Sequence, residues 1–172
     1  MNFNEKTVGK TTIYSGKILN LRRDDIILPD GNKAIREVVE HSGGSAILCE
    51  LDGKVLLVKQ FRYPYGECIW EIPAGKRNPN EQPEVTAIRE LEEEGGVIAG
   101  RVEKIFEVYP SPAYTEEVIH IFKALDVKQG KVNLDEDEFL TAKWFTIAEL
   151  KEMLKKGEIK DAKTLIAIGS II

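Results

Sequence analysis

The chain has 172 residues, 42% of them hydrophobic and 31% charged, with a formal net charge of −5. That length builds one well-formed core and is short for two ordinary domains. The acidic balance, with no Lys/Arg-rich block, argues against a nucleic-acid surface, and no run reaches the ~18 apolar residues that span a bilayer.

The first ten residues, MNFNEKTVGK, are polar and lack the apolar stretch of a secretion signal, so the expected compartment is the cytoplasm. Thr11 to Tyr14, Ile18 to Leu28 and Ala34 to His41 are rich in Ile, Val and Leu with partial alternation, which predicts strands. Pro29-Asp30-Gly31-Asn32 supplies the turn between the last two. Gly43-Gly44 then breaks the pattern, which divides the chain into an N-terminal strand unit, residues 1–42, and a main domain, residues 43–172. The first unit has no helix to cover a sheet face. Uncovered strands associate unless something pairs with them, and a second copy would do so with two-fold symmetry, so a homodimer is expected.

Ser45 to Glu50 and Val55 to Phe61 flank Asp52-Gly53, a hairpin signal, and Ile69 to Ile72 is a further strand. A helix is predicted over Glu84 to Glu94, with Pro83 in its first turn and Gly95-Gly96 at its end. Strands resume at Ile105 to Val108, Val118 to Ala124 and Lys143 to Phe145. Thr146-Ile147-Ala148-Glu149 matches a capping box, which predicts a helix from about Ile147 to Lys156 stopped by Gly157. Asp161 caps a last helix through Ile168. Such an order gives an α+β fold with a mixed sheet.

Cys49 and Cys68 form no CxxC pair and read as reduced, partly buried thiols. With only His41 and His120 available, any bound metal falls to carboxylates, which favours a hard ion such as Mg²⁺ or Mn²⁺. On a wheel of ~100° per residue, Glu90, Glu93 and Glu94 share an acidic arc expected to face outward. Val85, Ile88 and Leu91 occupy a separate apolar arc for packing on the sheet. Carboxylates this close repel each other, and a divalent cation would remove that cost. Arg89, four residues before Glu93, is placed to pair with it and orient it. Taken alone, an ExxEE cluster is more often a solvated helix face.

The neighbouring residues change that reading. In GKRNPNEQPEVTAIRELEEEGGV, Gly75 is followed by five residues and Glu81, then seven residues and Arg89-Glu90-Leu91, then Glu93-Glu94, Gly96 and Val97. This spacing resembles the Nudix signature at every defined position. Further stretches, IYSGK, LPDG, REVVEHSGG, LLVKQFRYPYGE, EIPAGK, YPSPAYTEE, DEDEF and DAKTL, resemble the ADP-ribose pyrophosphatase branch of that family from about Ile13 to Ile168. Pro112, fifteen residues after Val97, adds a weaker signal of the same branch. Two positions depart from the pattern: Ala113 stands where Gly is usual, and Gly95 where Thr is frequent.

The resemblance implies a mixed sheet between helices, preceded by an antiparallel strand unit. It implies hydrolysis of the diphosphate bond of a nucleoside diphosphate sugar, ADP-ribose first, to AMP and ribose 5-phosphate. It also implies Mg²⁺ on Glu90 and Glu94, helped by Glu93 and the Ala74 carbonyl, with Gly75 letting the backbone approach the phosphates. The base is expected on the acidic loop, with Glu136 favoured and Glu138 an auxiliary metal ligand, within a register of about two residues. Arg62 is a candidate for phosphate or adenine, Arg36 for the partner subunit's site, and Ser111 and Glu117 for the terminal ribose. Tyr14, Tyr63 and Trp70 offer stacking faces, although aromatics beside strands more often serve the core. Two other readings stay open: hydrolysis of another nucleoside diphosphate sugar such as GDP-mannose, and a module that senses such a nucleotide without cleaving it.

Overall fold

The computed structural model describes residues 2–134 and 139–172. The chain forms two compact units, Met1–Gly43 with Tyr109–Val118, and Gly44–Val108 with Ile119–Ile172.

In the first unit, β1 (Lys6–Ser15), β2 (Asn20–Ile27) and β3 (Lys33–Glu40) form an antiparallel sheet in that order. β1 starts five residues earlier than its apolar stretch indicates, because a strand lying largely in solvent carries no apolar alternation to mark it. The β2–β3 turn closes as its residues dictate. Leu28 N–H donates to the Asn32 carbonyl at 2.8 Å, Asn32 N–H donates to Asp30 Oδ1 at 3.0 Å, and Gly31 takes a φ of +89°. The Tyr109–Val118 segment is tied to β3: Val39 N–H donates to the Tyr114 carbonyl at 2.7 Å, and Glu116 N–H to the Val39 carbonyl at 3.1 Å. Arg22 braces the unit through Glu40 at 2.6 Å, Glu116 at 3.0 Å and Asp24 at 3.1 Å. Val8, Ile13, Tyr14, Ile18 and Ile35 stay exposed on it.

The second unit holds β4 (Gly44–Leu48), β5 (Glu50–Leu51), β6 (Lys54–Arg62), β7 (Glu67–Glu71), β8 (Ala74–Lys76), α1 (Pro83–Gly95), β9 (Val97–Val108), β10 (Ile119–Gln129), β11 (Leu140–Thr146), α2 (Ile147–Lys155) and α3 (Ala162–Gly169). One sheet has the order β8-β4-β10-β9, mixed because β10 runs parallel to β4. The other is antiparallel, β11-β6-β5, with β7 also paired to β6. Asp52 and Gly53 both adopt positive φ, 50° and 70°, the mirror-image turn that a two-residue hairpin needs.

Alternation along the chain around β4 makes this unit a sandwich. Ala46 and Leu48 join a core with Ile121, Leu150 and Met153 of α2, and Ala167 and Ile168 of α3. Ile47 and Cys49 point to the opposite core, with Phe122 and with Ala87 and Leu91 of α1. The mixed sheet therefore lies between helices, as the family resemblance implies.

Some elements differ from expectation. β8 and a 3₁₀ turn at Tyr63–Tyr65 carry no signal of their own, and β9 begins at Val97 rather than Ile105. Its first half alternates buried Val97 and Ala99 with exposed Ile98, a short pattern interrupted by Gly100 and Arg101. Gly95 continues α1, and Gly96 caps it in the left-handed region at φ 61°. The last two helices match closely. The Thr146–Glu149 capping box is formed, Asp161 accepts from Thr164 N–H, and Gly157 adopts a φ of +67° after α2. Both cysteines are free thiols, but only Cys49 is buried, which pushes its pKa up to about 12; Cys68 is exposed. Of the three aromatics, Trp70 packs edge-on against Phe145 at 4.8 Å, whereas Tyr14 and Tyr63 are exposed.

Candidate active site

The site is built where β8 meets α1. Pro83 starts the helix, and Glu81 just before it acts as an anchor. The Glu81 carboxylate accepts from Arg89 Nε at 3.1 Å, Asn78 N–H at 3.0 Å and the Thr86 hydroxyl at 2.9 Å. These bonds, the one from Arg89 first, hold its pKa down to about 2. Arg89 also reaches Glu93 at 2.7 Å, the expected i,i+4 pair, and Glu90 at 2.8 Å. Burial works against the Arg89 charge, but the three glutamates outweigh it and keep it protonated.

The acidic arc does not face outward as a whole. Glu90 and Glu94 are only 6% and 2% exposed, turned with Thr86, Ala87 and Leu91 toward the sheet, while Val85, expected in the apolar arc, is 53% exposed. The reason is the sheet edge. β8 is three residues long, and Gly75 within it has no side chain, so a carboxylate takes the place a Cβ would fill. A Cβ built on Gly75 would lie 1.9 Å from Glu90 Oε1. Glu94 Oε2 accepts from Ala74 N–H at 3.0 Å. Helix α1 thus presses two carboxylates onto the Ala74–Gly75 backbone.

Whether a metal suits this place is a question of donor chemistry. Burying anionic oxygens is expensive unless they are paired or coordinate a cation. Two such carboxylates beside the Ala74 backbone form an all-oxygen donor set, which fits a hard divalent ion that keeps several waters. Among the described residues, no three His, Cys, Asp or Glu side chains converge as a ready-made cage.

Arg62, at the end of β6, is gripped in parallel fashion by Glu71, Nε to Oε1 at 2.6 Å and Nη2 to Oε2 at 2.7 Å. Glu71 is almost fully buried and also accepts from Lys163 Nζ at 2.5 Å. Removing its cations would leave an uncompensated charge on a buried carboxylate.

The remaining candidates lie in the first unit or outside the description. Arg36 is half exposed and paired with Glu5 (Nε to Oε2 at 3.0 Å). The Ser111 carbonyl accepts from Tyr114 and Thr115 N–H, and Glu117 stands 3.4 Å from His41 Nδ1. Ala113 does not adopt a positive φ, so alanine fits the loop where glycine is usual. Glu136 and Glu138 lie outside the described residues. Glu71, Lys163 and Thr164 were not singled out from sequence. All three fall in EIPAGK and DAKTL, but partners some 92 residues apart leave no local trace.

Comparison with known proteins gives the family and the fold. The NUDIX domain family matches residues 39–167, and a nucleoside diphosphate sugar hydrolase N-terminal domain matches residues 5–39. An ADP-ribose pyrophosphatase of Bacillus subtilis is 45% identical over 95% of this chain and 90% of its own length. A GDP-mannose pyrophosphatase of Yersinia enterocolitica is 35% identical over 84% of this chain and 82% of its own. The crystal structure of an ADP compounds hydrolase superposes with a TM-score of 0.86, covering 98% of this chain and 93% of that one at 18% identity, which shows the same fold.

Proposed function

We propose that this chain, which belongs to the Nudix family, is a metal-dependent hydrolase that cleaves the diphosphate bond of ADP-ribose to AMP and ribose 5-phosphate. The observation that carries the reading is the pair of buried carboxylates, Glu90 and Glu94, pressed on the Ala74–Gly75 backbone inside an intact signature. Water supplies the oxygen that bonds to one phosphorus; the bridging P–O bond breaks, and the other phosphate leaves with the bridging oxygen.

Glu90 and Glu94, with Glu93 and the Ala74 carbonyl, would hold Mg²⁺ or Mn²⁺. A divalent cation there supplies positive charge against the crowded phosphate oxygens. Arg89 fixes Glu93 and Glu90 in place through its bonds to both and to Glu81. Arg62 offers a guanidinium whose side chain remains 38% exposed, suited to an equatorial phosphate oxygen or the adenine. Ser111 and Glu117 are assigned to the terminal ribose.

Turnover by purified protein with Mg²⁺, using a panel of nucleoside diphosphate sugars and product identification, tests this. AMP and ribose 5-phosphate from ADP-ribose are the expected products. Faster cleavage of GDP-mannose would favour the second reading, which the Yersinia relative supports at lower identity. Binding without any cleavage would favour a sensor.

The base is assigned to the acidic loop, Glu136 first, with Glu138 as a further metal ligand. One of the Gln substitutions at these positions is expected to lower kcat while substrate binding changes little. Normal turnover in both single variants and the double variant would reduce the loop to a solvated turn.

A homodimer belongs to the same reading. Val8, Ile13, Tyr14, Ile18 and Ile35 are exposed on the three-stranded unit, apolar side chains that a second copy would cover. Light scattering should give twice the chain mass at micromolar concentration, and removal of residues 1–42 should lose both association and affinity, since Arg36 is assigned to the partner's site. A fully active monomer would refute it. The cytoplasm, where free thiols such as Cys49 and Cys68 stay reduced, is the assigned compartment.

A further inference from the structure

The start of α3 carries a network that the reaction as described does not use. Asp161 caps the helix, accepting from Thr164 N–H at 2.9 Å and from the Thr164 hydroxyl at 2.6 Å. That hydroxyl accepts in turn from Ile72 N–H at 2.8 Å. Lys163 bonds Glu71 on one side and Asp161 on the other, the second at 3.0 Å. Its side chain is 10% exposed and that of Glu71 2%. Consecutive residues from Glu71 to Ala74 are therefore each held: Glu71 by Arg62 and Lys163, Ile72 by Thr164, Pro73 by Ile47 N–H at 2.9 Å, and Ala74 by Glu94.

Of the Arg62–Glu71 pair, only the carboxylate is buried, and it needs cations on both of its oxygens. Lys163 shares the same carboxylate, and its own second partner, Asp161, lies on the helix side and is already committed to the Thr164 N–H and hydroxyl. Arg62, Lys163, Glu71 and Asp161 together are charge-neutral, and Glu71 engages Nε and Nη2 of Arg62, whose side chain remains 38% exposed. Glu94 lies close enough to Arg62 to help keep it protonated, after Glu71 and Asp161. Glu71, which holds Arg62, stands three residues before Ala74, which donates to Glu94, so one short segment carries the anchors of both.

We propose that Lys163 is a positioning residue for the diphosphate site: by sharing the Glu71 carboxylate with Arg62, it fixes the orientation of the guanidinium that meets a substrate phosphate. The proposal rests on the diphosphate-hydrolase reading above. A purely structural Lys163 would only dock α3 on β7, and its loss would lower stability without a selective effect on phosphate binding.

The test uses the full chain with Mg²⁺ and two readouts: ADP-ribose hydrolysis, and calorimetric binding of the α,β-methylene analogue of ADP-ribose, which cannot be cleaved. Lys163→Met is expected to weaken analogue binding and raise KM by about tenfold while kcat changes less. Lys163→Arg should restore most of it. In an Arg62→Ala background, Lys163→Met should add less than about twofold, because both act through one guanidinium. If Lys163→Met does not fold, Lys163→Gln, which keeps a hydrogen bond to Glu71 without the charge, replaces it with the same expectation. Wild-type affinity in the Lys163 variants, or independent effects in the double variant, would overturn the proposal while leaving the hydrolase reading intact. A wild-type protein that neither binds the analogue nor cleaves ADP-ribose would remove that reading and this proposal with it.

Discussion

Glu94→Gln is expected to lower kcat by roughly 10²- to 10⁴-fold while the protein stays folded. The range follows from several kcal/mol of electrostatic stabilisation at about 1.4 kcal/mol per factor of ten. The substitution suits the question because of what Glu94 touches. Its Oε2 accepts from Ala74 N–H, and a glutamine carbonyl oxygen accepts the same bond at the same length of side chain. The residue is 2% exposed, so its shape matters to the interior and is preserved. The charge is removed and one acceptor oxygen becomes an amide donor, and a neutral amide is a poor ligand for a hard cation. Activity in the wild type should vanish with chelator and return with Mg²⁺ or Mn²⁺, whereas in the variant extra metal should restore little. Near-normal turnover in Glu94→Gln, with an unchanged thermal melt, would remove Glu94 from the metal site.

Much of this fold is legible in the sequence where local rules suffice. The Asp52-Gly53 turn, the Thr146–Glu149 box and the Asp161 cap are decided by a few adjacent residues, and each forms as those residues require. The signature gives the spacing of the site glutamates for the same reason, because one helix carries Arg89, Glu90, Glu93 and Glu94. The facing of that helix is less legible. Periodicity sorts apolar from acidic residues and assumes that acids seek water, so it turns Val85 inward and Glu90 outward, the reverse of what is found. The inversion comes from β8, a strand of three residues too short to announce itself, whose glycine leaves room for a buried carboxylate. Glu71 escapes notice on similar grounds. An acid inside a strand reads as an exposed edge position until Arg62 from the paired strand and Lys163, 92 residues on, neutralise it.

Gly75→Ala should separate the site from the fold more sharply than any change to a ligand itself. The added methyl carbon would stand 1.9 Å from Glu90 Oε1 and 2.1 Å from its Cδ, far inside contact distance, so something must move. The obstacle is the end of a glutamate side chain rather than backbone, and it can swing away at modest cost. Gly75 does not use a positive φ, so alanine meets no conformational strain there, and in a strand it costs the unfolded chain less entropy than glycine. The β4–β8 pairing of Ser45 with Gly75 therefore survives, and the melting temperature should shift by only a few degrees, within the effect of about 1 kcal/mol. What is lost is the position of the Glu90 carboxylate over the backbone. Turnover should fall by about 100-fold or more, and Mn²⁺ affinity measured by titration should fall with it. Gly169→Ala in α3 is the matched control, since a Cβ there meets nothing within 4 Å; its turnover should equal that of the wild type. If Gly75→Ala keeps full activity and metal affinity, the contact between Glu90 and the Gly75 backbone is incidental packing. If it unfolds, the carboxylate is held too rigidly to yield, and the glycine serves the core before it serves the chemistry.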